Sequence, residues 1–223
     1  MKTNLILSGL LMAVLTAHAT VYDSGTVSVG TAIPDNNPSG YASSYTFATG
    51  DANAINGVSV TLNLSGGYNG DLYGYLINPN GDLAVLLNRV GQTGGNYGYG
   101  DAGMNVTLSD FGTFNSIQDY QNHSPVFSGG QLTGTWAPAG DFSALHTGSL
   151  DGQWTLFLAD LSSGDQSTLV NWNLNISVVP EPVTWALLLF GAVMALAGLG
   201  ILIRRWSNLR MLPEKITAWM DAV

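Results

Sequence analysis

The sequence predicts an all-β fold, a jelly-roll-like antiparallel β-sandwich, for the central part of this 223-residue chain. Apolar and polar residues alternate over several short runs, the pattern of a strand with one buried face and one solvated face. Turn formers such as Asn78-Pro79-Asn80-Gly81 and Ser162-Ser163-Gly164-Asp165 separate these runs, as the connections between short antiparallel strands require. Residues 20–179 show no helical period. This combination favours a sandwich.

Three runs alternate over their whole length. Their apolar positions are Val58, Val60, Leu62 and Leu64; Met104, Val106 and Leu108; and Val170, Trp172, Leu174, Ile176 and Val178. Two further runs, Leu72–Ile77 and Trp154–Leu161, are apolar on both faces and are expected to be central strands of a covered sheet. The stretch Thr113–Leu145 has no clear strand pattern.

Charge and cysteine content exclude several classes of function. Residues 20–182 contain twelve Asp, one Glu and a single cation, Arg89, which gives this segment a net charge of −12. Such a surface repels phosphate backbones, so we expect no nucleic-acid partner. The chain has no cysteine, which excludes disulfides, thiolate zinc sites and cysteine nucleophiles.

The first nineteen residues are predicted to be a signal peptide. Lys2 provides the positive start, Leu5–Leu15 is an apolar stretch, and Ala17 and Ala19 are the small residues that a signal peptidase accommodates before its cleavage point. Cleavage is therefore expected after Ala19, and the body, residues 20–179, would be exported.

A second apolar run, Val183–Ile203, contains no charged residue in its 21 positions. At a rise of 1.5 Å per residue this helix spans about 31 Å, the thickness of the hydrocarbon core of a bilayer. Arg204 and Arg205 follow it directly, whereas Arg89 is the one cation of the exported side. The positive-inside bias predicts a single-pass protein with its body in the periplasm and its tail in the cytoplasm.

The tripeptide Pro180-Glu181-Pro182 precedes this run. Two prolines hold the chain extended, so Glu181 is expected to present an exposed carboxylate. Together with the apolar span and the paired Arg204 and Arg205, residues 180–205 resemble the PEP-CTERM sorting signal of Gram-negative bacteria. The resemblance implies recognition by exosortase, a membrane protease-transpeptidase often encoded with exopolysaccharide genes, and a final location at the cell surface or outside the cell.

The tail, residues 206–223, is longer than that family usually has. Ile216, Trp219, Met220 and Val223 share one helical face, so the tail is either an amphipathic helix on the cytoplasmic leaflet or an extension without function. A tail that blocks sorting would leave the protein in the inner membrane.

Four ordered segments of the body resemble the P domain (P/Homo B domain) of subtilisin-like proprotein convertases. They are Ile33–Gly40, Gly70-Asp71-Leu72 with its closing turn Asn78–Gly81, Leu83–Leu87, and Gly152–Leu156 followed by Asp160, Gly164-Asp165 and Trp172-Asn173-Leu174. The resemblance implies a jelly-roll sandwich that stabilises a neighbouring protease domain and has no catalytic residues of its own.

The residues themselves also indicate a protein that is not an enzyme. No Gly-x-Ser-x-Gly elbow is present, and the two histidines of the body, His123 and His146, fall in polar segments expected to be solvated loops. No pair of carboxylates can be assigned to a glycosidase cleft from the sequence.

A weak structural calcium ion is the one cofactor that the sequence suggests. Asp in turns commonly caps its own backbone, which is the simpler explanation of the twelve Asp, but such carboxylates also bind calcium outside the cell. Asp35, Asp71 and Asp160, at the ends of the P-domain-like segments, are the candidates. A second cluster, made of Tyr68, Tyr73, Tyr75, Tyr97 and Tyr99, has the residue type that stacks on sugars or packs at a sheet edge.

Three functions are consistent with these features. The first is a surface module, tethered to the membrane, with a structural or adhesive role in the envelope or the exopolysaccharide matrix. The second is a P domain that assists a separate subtilisin-like serine endopeptidase. The third is a hydrolase with an unrecognised site. The expected partners are signal peptidase, exosortase, the membrane, and either extracellular polysaccharide or the protease.

Overall fold

A computed structural model describes residues 18–180 and 182–210, with the side chains of 182–186 and 207–210 outside the description. The chain divides after Val179 into two compact units. The first unit contains eleven strands among the described residues and the second contains one α-helix. The proposed signal-peptide residue Ala17 and the tail beyond residue 210 lie outside the described residues.

The larger sheet of the first unit contains β1 (Thr20–Asp23), β2 (Val27–Ala32), β4 (Ala54–Gly66), β7 (Met104–Ser109), β8 (Val126–Ser128), β9 (Gln131–Trp136) and β11 (Ser167–Val179). It is mostly antiparallel, and its strands follow the order β1-β11-β4-β7-β9-β8, with β2 pairing β11 beside β1. The one parallel pair of strands in this sheet is β7 with β9.

The smaller sheet contains β3 (Asn37–Phe47), β5 (Leu72–Ile77), β6 (Leu83–Asn88) and β10 (Gly152–Asp160). It is antiparallel throughout and has the order β3-β10-β5-β6. Three 3-10 helices lie between strands, at Asn69–Asp71, Ile117–His123 and Phe142–His146. The two sheets form a β-sandwich, which confirms the predicted fold class.

Alternation along the strands builds the core, because every second side chain of each sheet points to the other sheet. The four apolar positions of β4 and the three of β7 are all buried as predicted. Trp154 of β10 and Trp172 of β11 are both fully buried. The Trp172 indole N–H donates to Ser43 Oγ of β3 at 2.9 Å and so bonds the two sheets together.

Two strand predictions need correction. Val170 is half-buried and Leu169 is buried instead, because a β-bulge between Leu169 and Asn171 inserts an extra residue and shifts the alternation. Strands β5 and β10 are central as predicted, but most of β5 alternates between buried and half-buried positions. Its outer face carries Tyr73, Tyr75 and Ile77, all of which are half-buried.

The stretch without a clear pattern, residues 113–145, contains β8 and β9 and most of two 3-10 helices. Every residue of β8 is exposed, and short edge strands of this kind carry little hydrophobic alternation. This explains why the sequence pattern does not reveal β8.

The second unit contains α1 (Pro182–Arg210). A 20-residue segment of it, Leu187–Trp206, has a mean hydropathy of 2.2 and is long and apolar enough to cross a membrane. Within the described part of α1, this segment overlaps the predicted span of residues 183–203 from Leu187 to Ile203. The membrane orientation stays a prediction.

Candidate functional site

Three loops meet at one end of the sandwich and bring the three candidate calcium residues to the same region. The Gly164 N–H donates to Asp35 Oδ2 at 3.1 Å, which joins the β10–β11 and β2–β3 loops. The Leu161 N–H donates to the Asp71 carbonyl at 2.9 Å and joins the first loop to the 3-10 helix before β5. We call Asp35, Asp71, Asp160 and Asp165, with Arg89 among them, the acidic end.

Asp160 is the most unusual member of the acidic end, because it is fully buried at the last position of β10. Its Oδ1 accepts a long hydrogen bond of 3.3 Å from the Ser162 N–H, and its Oδ2 has no partner within the described residues. Burial, followed by the negative charges of Asp71 and Asp35, raises the pKa of the Asp160 carboxyl to about 6. A charged carboxylate here is therefore destabilising unless something neutralises it.

Asp71 is also nearly buried, with 8% of its side chain exposed, and its closest counter-charge is Arg89. The Arg89 Nη2 lies 3.8 Å from Asp71 Oδ1 and donates to Ser162 Oγ at 2.8 Å. The Arg89 Nε donates to the Gly70 carbonyl at 3.4 Å. The single cation of the body thus lies inside the acidic end and compensates one of its carboxylates.

A cavity of about 240 Å³ opens beside these residues. Its lining is mostly made of oxygen-bearing side chains, those of Tyr68, Asp71, Tyr97, Ser162, Ser163 and Asp165. Carboxylate and hydroxyl oxygens are ligands for hard cations such as calcium. Within residues 18–180 and 182–210, however, no group of three or more Asp, Glu, His or Cys side chains is already arranged to hold a metal ion.

The contributions of Arg89, Ser162 and Asp165 to this site were not recognised in the sequence. The isolation of Arg89 among twelve aspartates was the available signal, since a lone cation in an acidic domain is expected to pair with buried carboxylates. Ser162 gave no signal, because serine is common in every turn of this chain.

The two histidines of the body lie in 3-10 helices and not in open loops. The His123 Nε2 lies 3.2 Å from Asp119 Oδ2, and the His146 Nε2 lies 2.7 Å from Asp110 Oδ2. No serine hydroxyl is hydrogen-bonded to either imidazole among residues 18–180. Each of these imidazoles therefore has an aspartate as its hydrogen-bond partner within the described residues.

The five clustered tyrosines separate into three environments. Tyr68 and Tyr97 line the cavity of the acidic end, and Tyr97 is 76% exposed. Tyr99 packs edge-on against Tyr120, at 4.7 Å between ring centroids, and faces the core. Tyr73 and Tyr75 lie on the outer face of the smaller sheet.

The outer face of the smaller sheet carries aromatic rings and no charged side chain. Tyr75 of β5 stacks on Phe157 of β10 at 4.6 Å between centroids, and Tyr73 meets Tyr75 edge-on at 6.1 Å. The cross-strand register places their neighbours on the same face, and all of them are neutral: Ala42, Ser44, Thr46, Ile77, Leu83, Val85, Asn88, Gln153 and Thr155. We call this surface the neutral face.

The residues of the predicted sorting signal lie at the junction of the two units and in α1. Pro180 is the last residue before a position outside the described residues, Glu181. Pro182 begins α1, and Arg204 and Arg205 lie near its end. Their part in sorting stays a prediction.

The comparisons with known proteins concern the first unit. The family model of the proprotein convertase P-domain matches residues 55–176, which is more than half of the chain. It leaves out the Ile33–Gly40 segment that resembles the same family. No curated protein matches the chain.

The solved structures that are similar to the chain include two of a bacterial serine protease. The serine protease of Aeromonas sobria, in complex with the chaperone ORF2, has 16% identity and a TM-score of 0.44, and the match covers 73% of this chain and 28% of that one. The same protease solved alone has 16% identity and a TM-score of 0.41, over 71% of this chain and 27% of that one. The chain therefore spans less than a third of the length of these relatives. On the evidence of the family model, the chain belongs to the proprotein convertase P-domain family.

Proposed function

We propose that the sandwich acts as a P domain that assists a separate subtilisin-like serine endopeptidase. The match of residues 55–176 to the P-domain family carries this proposal. In proprotein convertases the P domain is a non-catalytic accessory domain.

Exposed apolar side chains provide a contact surface for such a protease. Phe111 and Phe114, after β7, are 47% and 36% exposed. Phe114 lines a cavity of about 310 Å³ together with Pro138 and Phe142. Exposed rings beside an apolar cavity are typical of protein-binding surfaces, so this surface is the one we assign to the protease.

A fluorophosphonate probe, which labels active serine hydrolases, tests this function on the full chain purified from its own membranes in mild detergent. We expect a labelled protease to copurify with the wild-type chain and to be lost with the Phe111→Ser, Phe114→Ser double variant. Leu83→Ser, which removes an equally exposed apolar side chain from the other sheet, is the matched control. Absence of any labelled protein, or equal loss with the control, would contradict the proposal.

For the location of this module we propose export, a single membrane span and sorting by exosortase. The span Leu187–Trp206 and the two arginines at its end support the membrane tether, and the Pro180-Glu181-Pro182 sequence supports sorting. Mass analysis of the mature protein from fractionated cells reports both cleavages. A Glu181→Ala variant that matures and localises like the wild type would refute the sorting hypothesis.

An adhesive role in the exopolysaccharide matrix is our second candidate, and the neutral face is the observation that favours it. An uncharged surface with tyrosine rings and hydroxyl groups suits neutral sugars better than lipids or anions. We expect the full chain to sediment with exopolysaccharide extracted from the same cells, and Tyr75→Ala to weaken this while Tyr97→Ala does not. Equal sedimentation of wild type and Tyr75→Ala would count against this role.

A further inference from the structure

The acidic end has an excess of negative charge that the protein does not balance. It contains four carboxylates, those of Asp35, Asp71, Asp160 and Asp165, against the single guanidinium of Arg89. With every carboxyl ionised, the net charge of this group is −3. The two most buried members, Asp71 and Asp160, are those for which water offers the least screening.

The main evidence for a ligand at the acidic end is the Oδ2 atom of Asp160. It is completely buried and has no hydrogen-bond partner among the described residues. Buried carboxylate oxygens are nearly always hydrogen-bonded or bound to a cation. The Ser167 Oγ is a second buried oxygen without a partner, and the Ser167 backbone also interacts with the Asp160 carboxylate.

The nearby cavity is connected to this group through Ser162. Asp71, Ser162 and Ser163 line the cavity, and the Ser162 N–H donates to Oδ1 of Asp160, which is not itself a lining residue. A cation in the cavity therefore meets an almost buried carboxylate and two hydroxyls, one of them on the residue whose backbone is hydrogen-bonded to a second, fully buried carboxylate.

The geometry points to a calcium site in the acidic end, in which Asp71 and Asp160 are the charged ligands and the hydroxyls of Ser162 and Ser163 complete the protein's share. Calcium accepts six to eight oxygen ligands, water included, in flexible geometry. One Ca²⁺ reduces the net charge of the group from −3 to −1.

The arrangement described here accounts for weak and not tight binding. No three carboxylates already converge within the described residues, and the Arg89 guanidinium, 3.8 Å from Asp71, repels a second cation. Both features reduce the affinity, so we expect a Kd of about 1 mM, as in other extracellular calcium modules. The site does not depend on the proposed protease partner, since every ligand belongs to this chain.

Thermal unfolding of the full chain in detergent at pH 8 tests the site. At 10 mM CaCl₂ and a Kd of about 1 mM, the Tm is expected to rise by about 3–6 °C over the value in EGTA. Asp160→Asn and Asp71→Asn should each abolish this rise, whereas Asp119→Asn, which removes an exposed carboxylate paired with His123, should keep it. An equal rise with MgCl₂, or with NaCl at the same ionic strength, would indicate charge screening and overturn the proposal.

Terbium luminescence tests the location without relying on variants of the ligands. Tb³⁺ replaces Ca²⁺ and is sensitised by nearby tyrosine, and both Tyr68 and Tyr97 line the cavity. We expect a terbium signal that excess Ca²⁺ removes and that Tyr97→Phe lowers by about half, while the Ca²⁺-dependent rise in Tm is unchanged. Wild-type protein that gives no terbium signal, or a signal that Ca²⁺ does not displace, would refute the site.

Discussion

The Asp160→Asn variant should gain stability relative to wild type as the pH rises from acidic to neutral and alkaline values. Burial and the charges of Asp71 and Asp35 raise the pKa of this carboxyl from 3.8 to about 6 in the folded protein. The folded state binds this proton more tightly than the unfolded chain does. The protonated Asp160 carboxyl of the wild type therefore contributes stability that is present below pH 4 and is lost as the pH rises through 6. The asparagine amide of the variant does not ionise, so the variant has no such loss.

The magnitude follows from the displacement of the pKa. A rise from 3.8 to about 6 corresponds to about 3 kcal/mol, at about 1.4 kcal/mol for each pH unit. We therefore expect the free energy of unfolding of Asp160→Asn, minus that of wild type, to increase by up to about 3 kcal/mol between pH 4 and pH 7.5.

Urea unfolding of the full chain in detergent, followed by tryptophan fluorescence in the presence of EGTA, measures this difference. The chelator matters because a bound cation would stabilise the ionised Asp160 and hide the effect. Asp119→Asn serves as the control for the loss of one surface charge. A difference between Asp160→Asn and wild type that is the same at both pH values would refute the argument from burial and charge.

Three further predictions concern the stability of the sandwich. Trp172→Phe should lower the free energy of unfolding by about 2–3 kcal/mol in urea titrations, because it removes the bond to Ser43 between the sheets and leaves a cavity. Tyr120→Phe should lower it by about 1–2 kcal/mol in the same assay, since the buried hydroxyl donates to Asp101 Oδ2 at 2.7 Å; an unchanged midpoint would contradict that bond. Asp151→Asn should lower the Tm at pH 7 more than at pH 2.5. The backbone N–H and the hydroxyl of Thr49, followed by the backbone N–H of Gly50, donate hydrogen bonds to the Asp151 carboxylate and hold its pKa below 3.8. Its stabilising effect is present above pH 3.8 and disappears as the pH falls, so calorimetry at the two pH values should find a smaller difference in acid.

Strand positions on the alternating runs could be read from the sequence because one buried face imposes a period of two. The predicted apolar positions of β4 and β7 are all buried, although Gly57, Ser59 and Ser109 on the opposite parity are buried as well. Val170 does not follow the rule, because a bulge depends on the register against β4, which lies about a hundred residues away in the chain. The edge strand β8 was missed for a related reason, since all of its residues are exposed.

The candidate site was only partly accessible to the same reasoning. Asp35, Asp71 and Asp160 could be chosen by their positions at the ends of P-domain-like segments, and the fold does bring their loops together. Their very different environments could not be foreseen, since local sequence does not state how deeply a turn is buried. Asp35 is exposed, whereas Asp160 is fully buried.

Composition and local pattern were sufficient to predict that the body is an acidic, cysteine-free β-sandwich followed by an apolar helix. These properties are sums over residues or periods of a few residues, and they need no knowledge of distant contacts. The pairing of Arg89 with Asp71, the orphaned oxygen of Asp160 and the neutral face each depend on which strands become neighbours. Burial and electrostatic energy vary with distances between residues far apart in the chain, and only the folded arrangement sets those distances.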